Sequence, residues 1–245
     1  MGHLMGGGLM SGLVESASAI LRVAQQRLES ASQNVANITT PGYKRQISFV
    51  EVMASQPDRA GDVPALRLRP DLTQGKLSAT GGPLDIAISG DGFFALRDGT
   101  TTLYSRQGQF TRAADGTLVT AQGYALQQAS GGDVVVENSA VTIANDGTVL
   151  DAGRPVARIG VYVPDSSASM RSLDGSTFQL ESGHATELAS PMLRQGMIEA
   201  SNVSVGDEMI TMMAALRQAE SGSRLVQTYD DLLGRAITAF APGGQ

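Results

Sequence analysis

Apolar residues recur at alternating spacings of three and four in the first forty or so positions of the chain. This spacing places them along one side of an α-helix and is typical of a coiled-coil seam. Thr40-Pro41-Gly42 follows the pattern. Pro41 has no N–H to donate, and its ring disfavours a helical conformation at the residue before it. The sequence therefore predicts a long helix that ends near Pro41, with a seam made of Val14, Ala17, Leu21, Ala24, Leu28, Ala31, Val35 and Ile38.

The same spacing returns near the end of the chain. Ser204 is a favourable N-cap, and Asp207 and Glu208 follow in the first turn, where the helix dipole favours negative charge. Pro242 and the two glycines after it end the pattern. These features predict a second long helix, with a seam made of Met209, Met212, Leu216, Ala219, Ser223, Val226, Asp230, Leu233, Ile237 and Phe240.

Between about Leu66 and about Leu180 the apolar period shortens to two, which predicts β-strands. Asp-Gly pairs recur in this region and favour the tight turns that connect antiparallel strands. A mostly antiparallel β domain is the simplest fold that combines short strands with such turns. The five pairs are Asp91-Gly92, Asp98-Gly99, Asp115-Gly116, Asp146-Gly147 and Asp174-Gly175.

Together the patterns predict an α+β fold. Long N- and C-terminal helices pack as a coiled-coil-like assembly domain, and a mostly antiparallel all-β domain lies between them in the sequence. The predicted boundaries are a flexible leader at residues 1–12, the terminal helical assembly domain at 13–52 and 200–241, a linker at 53–64 and the β domain at 65–199. A chain with amphipathic helices at both ends is organised for assembly more often than for catalysis.

Charge and composition remove several function classes. The net charge is −6 and the 18 Lys and Arg residues are scattered, which argues against nucleic acid as a partner. Cysteine is absent, so disulfides, thiolate metal sites and a Cys nucleophile are excluded. No apolar run approaches the roughly 20 residues of a membrane span, and the first residues lack the pattern of a cleavable secretory signal.

Histidine is nearly absent, which restricts both metal binding and catalysis. The chain has two His, and His184 is the one outside the leader. Glu181, His184 and Glu187 would face one metal on a helix, but Ser182-Gly183 favours a loop instead. A Ser-His triad is close to excluded for the same reason. We expect no metal and no cofactor.

Paired carboxylates are the remaining candidates for catalysis. Asp85 with Asp91 or Asp98 would be the pair for glycosidase-type chemistry. Asp91 and Asp98 each precede a glycine, however, where Asp is favoured for backbone reasons alone. We therefore expect a protein that is not an enzyme and has no catalytic residues.

Four motifs follow one another along the chain. They are Asn34-Val-Ala-Asn37-Ile-Thr-Thr-Pro41-Gly42-Tyr43; Leu84-Asp-Ile-Ala-Ile-Ser-Gly90-Asp-Gly92-Phe93-Phe94; Leu118-Val-Thr-Ala-Gln-Gly-Tyr124; and Ser201-Asn202-Val203 with Gln227-Thr-Tyr-Asp-Asp-Leu-Leu-Gly-Arg-Ala-Ile237. In this order they resemble the signatures of the bacterial flagellar rod and hook proteins. The match extends over most of the chain.

The resemblance implies a structural subunit of the flagellar basal-body rod, the drive shaft that spans the periplasm and transmits torque to the hook. Its partners would be copies of itself, other proximal and distal rod proteins, and the export apparatus, which it would use without a cleaved signal peptide. Nucleic acid, membrane insertion and a small-molecule substrate are not implied. Proximal rod proteins are the most similar members and distal rod proteins the next. A secreted cell-wall-acting enzyme and a free-standing binding module are the alternatives from other classes.

Overall fold

The computed structural model describes residues 6–51, 65–138 and 141–240. The chain divides into two compact units. Of the described residues, the helical unit contains 6–33, 48–51, 65–68 and 205–240, and the β unit contains 34–47, 69–138 and 141–204. The predicted linker at residues 53–64 and the first five residues of the predicted leader lie outside the described residues.

Short strands separated by glycine turns make up the β unit, and its pairings are antiparallel. The strands of the described residues are β1 (Gln46–Glu51), β2 (Ala65–Pro70), β3 (Leu77–Ala79), β4 (Ile86–Ile88), β5 (Phe93–Asp98), β6 (Thr101–Ser105), β7 (Thr111–Arg112), β8 (Leu118–Val119), β9 (Ala125–Leu126), β10 (Thr142–Ile143), β11 (Thr148–Asp151), β12 (Arg154–Arg158), β13 (Val161–Pro164), β14 (Ser169–Ser172), β15 (Thr177–Ser182), β16 (Ala185–Glu187), β17 (Leu193–Gln195) and β18 (Met197–Glu199).

The largest sheet has the order β14-β15-β6-β5-β9-β8-β7, and β13 pairs with both β5 and β16. A second sheet has the order β10-β11-β12. Three two-stranded pairs complete the description: β1 with β2, β4 with β17, and β3 with β18. The last two pairs join strands from opposite ends of the β unit's sequence. They bring the end of the unit back to its beginning, and this return creates the site described below.

Four of the five Asp-Gly pairs lie in turns between paired strands, as predicted. In three of these turns the Asp side chain accepts a hydrogen bond from the backbone N–H two residues later, at 2.9–3.0 Å. The glycine takes a positive φ at each, which favours Gly over other residues. The prediction of a hairpin at Asp91-Gly92 is wrong, because β4 and β5, on either side of it, pair with other strands.

Aliphatic and phenylalanine side chains form one buried cluster in the β unit. Phe94 and Phe110 meet edge to face at 5.5 Å between ring centroids, a favourable arrangement for two aromatic rings. The chain has no Trp, so branched aliphatic residues supply most of the packing. The buried cluster consists of Ile86, Ile88, Phe94, Leu96, Leu103, Phe110, Leu118, Leu126, Val134, Val136, Val141, Ile143, Val149, Ile159, Val161 and Leu193.

The helical unit contains α1 (Gly6–Ala36, whose last three residues belong to the β unit) and α2 (Val205–Phe240). The helices run antiparallel: Arg27 Nη1 donates to Gln218 Oε1 at 3.2 Å, whereas Gly222, further along α2, faces Leu21 and Ile20. Asp207 and Glu208 occupy the first turn of α2. Neither helix has, among its described residues, an apolar stretch suited to crossing a membrane.

The predicted fold class is wrong in its helical part, although the mostly antiparallel central domain agrees with the structure. A coiled coil needs large apolar side chains at both seam positions of each helix. In α2, the predicted seam residues Met209 and Leu216 are 55% and 51% exposed, and the residues directly before them, Glu208 and Ala215, are buried. Gly222 is likewise buried in place of Ser223. The seam is displaced by one residue at every second position. The two described helices therefore meet through small side chains and form no coiled-coil assembly domain.

Small residues also form the buried row of α1. Ala17, Ala24 and Ala31 recur every seven residues and are almost fully buried. Leu21 and Leu28, between them, are only partly buried. Alanine and glycine let two helix backbones approach closely but bury little apolar surface. The pattern of three and four along the sequence did not show which of its members face the partner helix.

Candidate functional site: the polar junction of the β unit

A tight turn leads the chain out of α1. Thr40 N donates to Asn37 O at 3.1 Å, and Thr40 Oγ1 donates to Asn37 Oδ1 at 3.2 Å. Pro41 carries no backbone hydrogen and so leaves no donor unpaired. The turn leads into residues 42–45, which we call the first crossing. The motif residues Asn37 and Pro41 thus redirect the backbone at the end of the helix.

Gly42 allows the first crossing to approach the β unit closely. Its φ is +69°, and a Cβ at this position would lie 2.3 Å from Gln107 N and 2.5 Å from Arg106 C. These distances are far below van der Waals contact, and the contacted atoms belong to backbone. Only glycine fits both the dihedral angle and the space.

Asn34 and Tyr43, two further motif residues, are buried and bonded to each other. Tyr43 OH donates to Asn34 Oδ1 at 3.1 Å. The same oxygen accepts from Gln46 N at 2.8 Å, and Asn34 Nδ2 donates to Gln46 O at 3.0 Å. The Tyr43 ring lies so close to Gly175 that a Cβ there would come within 2.0 Å of it. One amide side chain therefore joins the end of α1 to the strand that follows.

A segment near the end of the β unit lies beside the first crossing. We call residues 199–202 the second crossing. Gly42 N donates to Glu199 O at 2.8 Å, and Arg45 N donates to Asn202 Oδ1 at 2.7 Å. Asn202 Nδ2 also donates to Asp71 O at 2.9 Å. The motif residue Asn202 thus holds the two crossings against each other and against the segment that follows β2.

Three charged side chains are buried beside the crossings. Lys44 Nζ lies 2.7 Å from Glu199 Oε1, and Arg106 Nη1 lies 3.0 Å from Glu199 Oε2. The exposed fractions of these side chains are 0% for Lys44, 2% for Arg106 and 1% for Glu199. Gly75 N also donates to Glu199 Oε1 at 2.9 Å. One carboxylate is therefore shared between two cations and a backbone N–H.

Both cations make further contacts. Lys44 Nζ donates to Thr73 O at 2.6 Å, and Arg106 Nη2 donates to Gly90 O at 2.7 Å. The Arg106 guanidinium lies 5.2 Å from the centre of the Phe93 ring, a cation–π distance. Among the described residues, Arg106 Nε is the buried side-chain polar atom that has no hydrogen-bond partner.

Burial determines the direction in which the pKa values of both cations shift. It lowers the pKa of the Lys44 ammonium below its ordinary value, and the attraction of Glu199 opposes this shift. Burial likewise lowers the pKa of the Arg106 guanidinium, again opposed by Glu199 and also by Asp91. In both cases the loss of water outweighs the attraction of the carboxylate. The cluster therefore holds its charge at a cost in solvation.

The central motif lies next to this cluster. Gly90 offers its carbonyl to Arg106, and Phe93 lies under the guanidinium. Gly92 has a φ of +111°, and a Cβ there would lie 2.6 Å from Val161 Cγ1. Phe94 belongs to the buried cluster of the β unit. Residues from the first, second and last motifs thus meet in one place.

Lys44, Arg106 and Glu199 were not singled out in the sequence. Glu199 lies 155 residues from Lys44 and 93 residues from Arg106 along the chain. Lys, Arg and Glu are usually exposed, so no periodicity indicates that these three are buried. The position of Lys44 directly after Tyr43 was the one available signal, because it places a charge at the end of a motif.

The predicted assembly residues fall into four groups. Ala17, Ala24 and Ala31 are buried, and Met209 and Leu216 are exposed. The side chains of Val14, Ile237 and Phe240 lie outside the described residues. The remaining residues, Leu21, Leu28, Val35, Ile38, Met212, Val226 and Leu233, are partly buried. Their role in assembly stays a prediction.

The candidates for chemistry lie in different segments of the β unit. Asp85 Oδ2 accepts from Thr80 Oγ1, and Asp91 is exposed in the turn before β5. His184 is exposed between β15 and β16. Within the part of the chain that the structure describes, no group of three or more acidic or His side chains is arranged to hold a metal ion.

The junction has the geometry of a structural element, since its buried polar groups bond one chain segment to another. Comparison with known families agrees with this class. Residues 87–150 match the family described as flagellar hook protein FlgE/F/G D1 domain, and residues 194–239 match the flagellar basal body rod FlgEFG protein C-terminal family.

Rod proteins from several bacteria align with most of this chain and over most of their own length. The flagellar basal-body rod protein FlgF of Escherichia coli is 32% identical over 89% of this chain and 93% of its own length. The rod protein FlgG of Borreliella burgdorferi is 31% identical over 90% of this chain and 96% of its own length. The FlgF of Caulobacter vibrioides is 28% identical over 87% and 91%. The chain belongs to the flagellar basal-body rod protein family, and it is a structural subunit of the basal body.

Proposed function

We propose that this rod subunit assembles through an apolar row on the first half of α2. Val205, Met209, Met213 and Leu216 are spaced by four, four and three, so they share one side of the helix. Between about two fifths and about half of each side chain is exposed. The row is about 17 Å long. Covering it with a neighbouring subunit is favourable in proportion to the apolar area removed from water.

Methionine makes up half of this row, which suits a surface with more than one neighbour. Its unbranched side chain adapts to differently shaped partners. The proposed partners are copies of the same chain and other proximal and distal rod proteins. Gly222, on another side of α2, already faces α1 within the subunit, whereas the exposed row is available to neighbours.

The row is tested by replacing Met209, Met213 and Leu216 together with glutamine. We expect the purified variant to keep the helical circular dichroism of the wild type, because the three side chains are about half exposed in the subunit. We expect it to be missing from isolated basal bodies. The matched control replaces Leu225 and Leu232 with glutamine; these residues are similarly exposed on a different side of α2. We expect this control variant to enter basal bodies normally.

Normal incorporation of the triple variant would contradict the proposed surface. If the Leu225 and Leu232 variant is excluded in the same experiment, the contact lies on the opposite side of α2.

The position within the rod stays a prediction, and we propose the proximal position. Relatives named FlgF and FlgG match over similar shares of the chain, so a genetic test is needed to separate them. Expression in a strain that lacks FlgF is expected to restore motility, whereas expression in a strain that lacks FlgG is not. Restoration in the second strain alone would favour a distal position.

We also propose that the subunit is not an enzyme and is exported to the periplasmic rod by the flagellar export apparatus without cleavage. The resemblance to rod proteins supports both statements. The mass of the subunit recovered from basal bodies should equal that of the chain made in the cytoplasm. Purified protein should leave peptidoglycan intact. Hydrolysis by the wild type that is lost in Asp85→Asn would instead favour the cell-wall enzyme.

A further inference from the structure

The buried charges of the junction are not explained by membership of the rod family. Lys44, Arg106 and Glu199 bond to backbone and to each other, and Arg106 also lies over the Phe93 ring. Moving a charged group out of water costs several kcal/mol. Replacing such a group with a well-packed apolar side chain is often neutral or stabilising. Net stability is therefore a weak reason for the presence of three buried charges here.

The three residues come from different parts of the β unit. Lys44 lies in the first crossing and Glu199 begins the second crossing. Arg106 follows β6 and reaches the central motif through Gly90 O. The Glu199 carboxylate bonds to both cations, and the Glu199 carbonyl accepts from Gly42 N at 2.8 Å. One residue therefore contacts both crossings and the body of the β unit.

The directions of these bonds restrict movement. Lys44 contacts one carboxylate oxygen and Arg106 contacts the other, while Gly75 N donates to the oxygen shared with Lys44. A carboxylate held from three sides has one orientation. Apolar packing has no such preference in direction, so it would allow the crossings to slide along each other.

We propose that Glu199 is a positioning residue that locks the first crossing onto the second, and that rod assembly requires this lock. Lys44 and Arg106 are the two cations through which it acts. The bonds of the lock run to backbone and charged groups and not to the apolar residues of the cluster, so we expect the crossings to loosen while the β unit stays folded. The consequence for assembly rests on the proposed function, whereas the lock itself does not.

Hydrogen exchange on the purified full chain tests the lock. In Glu199→Gln, the amides of Gly42 and Arg45, which donate to Glu199 O and Asn202 Oδ1, should exchange at least about tenfold faster. The amides of Leu118 and Val134, which bond within the β unit, should change less than about twofold. A residue that only contributed to global stability would accelerate all four amides together.

A matched control uses another Arg–carboxylate pair of the β unit. Arg97 and Asp133 pair near the surface, far less buried than the junction. Asp133→Asn removes a carboxylate in the same way and should leave the exchange of Gly42 and Arg45 unchanged. If Glu199→Gln fails to fold, Lys44→Met provides the same measurement. It leaves Glu199 paired with Arg106 and should accelerate exchange in the first crossing alone.

Motility of cells that carry each variant tests the consequence. Faster exchange confined to the crossings, with loss of motility, supports the proposal. Equal acceleration of all four amides, or no acceleration, overturns the lock. Confined acceleration with normal motility overturns its role in assembly. Deleting the gene separates the two proposals, since normal motility of the deletion strain would contradict the proposed function whatever the exchange data show.

Discussion

Gly42 determines how closely the first crossing approaches the backbone of residues 106 and 107. Its importance arises from the absence of a side chain, because a Cβ would overlap Gln107 N at 2.3 Å. The contacted atoms are backbone and cannot turn away as a side-chain end can. The junction therefore depends on a contact that no single-residue propensity describes.

Gly42→Ala should destabilise the β unit by about 2–4 kcal/mol, because it combines a positive φ with an overlap against backbone. Gly81→Ala is the control. Gly81 has a φ of +75°, and no atom of the described residues, apart from its chain neighbours, lies within 4 Å of its Cβ position, so it carries the dihedral cost alone. We expect about 1 kcal/mol there. Denaturant unfolding measures both, and equal losses would show that the overlap relaxes freely.

Lys44 should make stability depend on pH. Burial lowers the pKa of Lys44 in the folded protein below 10.5, whereas the unfolded chain restores the ordinary value. Between those two values the unfolded chain binds more protons, so the free energy of unfolding rises as pH rises through the window. Lys44 faces Glu199 and Arg106, with Asp71 also nearby.

The effect of Lys44 on stability can be separated from that of tyrosine ionisation below about pH 10. Tyr104 and Tyr162 have pKa values raised above 10.0 by burial, so they stay protonated there. Denaturant midpoints are compared at about pH 7.5 and about pH 9.5 for the wild type and Lys44→Met. The wild type should gain stability relative to the variant at the higher pH. A relative loss would mean that the attraction of Glu199 outweighs burial.

At the scale of elements, the two helices are held by small side chains. In α2, Gly222 faces Leu21 Cγ at 3.1 Å and Ile20 Cγ2 at 3.2 Å, measured from its Cβ position. A glycine inside a helix costs on the order of 1 kcal/mol relative to alanine. Here that cost permits close approach of α1, and the large apolar residues of α2 remain for other contacts.

Gly222→Leu should weaken the helix pair by about 1–3 kcal/mol, since the new side chain has no space against α1. Gly234→Leu is the matched control in the same helix, because no described residue outside its own helical turn has an atom within 4 Å of its Cβ position. It should instead stabilise the helix by about 0.5–1 kcal/mol through helix propensity. Thermal melting followed by helical circular dichroism distinguishes them. A gain at both positions would show that the helices separate without cost.

At the scale of the whole molecule, the helical unit and the β unit differ in what they bury. Among the described side chains, the β unit has a cluster of sixteen buried apolar residues, whereas the buried apolar residues of the helix pair are Ala17, Ala24, Ala31 and Ala215. Hydrophobic stabilisation scales with buried apolar area. The helical unit of an isolated subunit should therefore be the less stable of the two.

We expect two unfolding transitions on heating the purified subunit. Helical circular dichroism should fall first, and the near-ultraviolet signal of the tyrosines should fall second. Tyr43, Tyr104, Tyr124 and Tyr162 lie in the β unit and dominate that signal. Coincident transitions by both signals would show that the units unfold as one cooperative body.

The sequence determined the positions of turns and the identity of the motifs, because both depend on local backbone chemistry. Asp-Gly turns, the stop at Pro41 and the shift from helical to strand periodicity act within a few residues. The spacing of apolar residues in α2 did not determine which residues of the helix face α1. Leu216 and Ser223 fit the three-and-four spacing, yet Ala215 and Gly222 are the residues buried there, since small side chains allow the close approach of the partner helix.

Only the tertiary structure brought Lys44, Arg106 and Glu199 together. Their charges would suggest exposed positions, and their separation along the chain exceeds any periodicity. The pairing of β3 with β18 and of β4 with β17 returns the end of the β unit to its beginning. That long-range pairing places one carboxylate between two cations. The motifs thus identified the family from sequence, and the fold decided how the motif segments are joined.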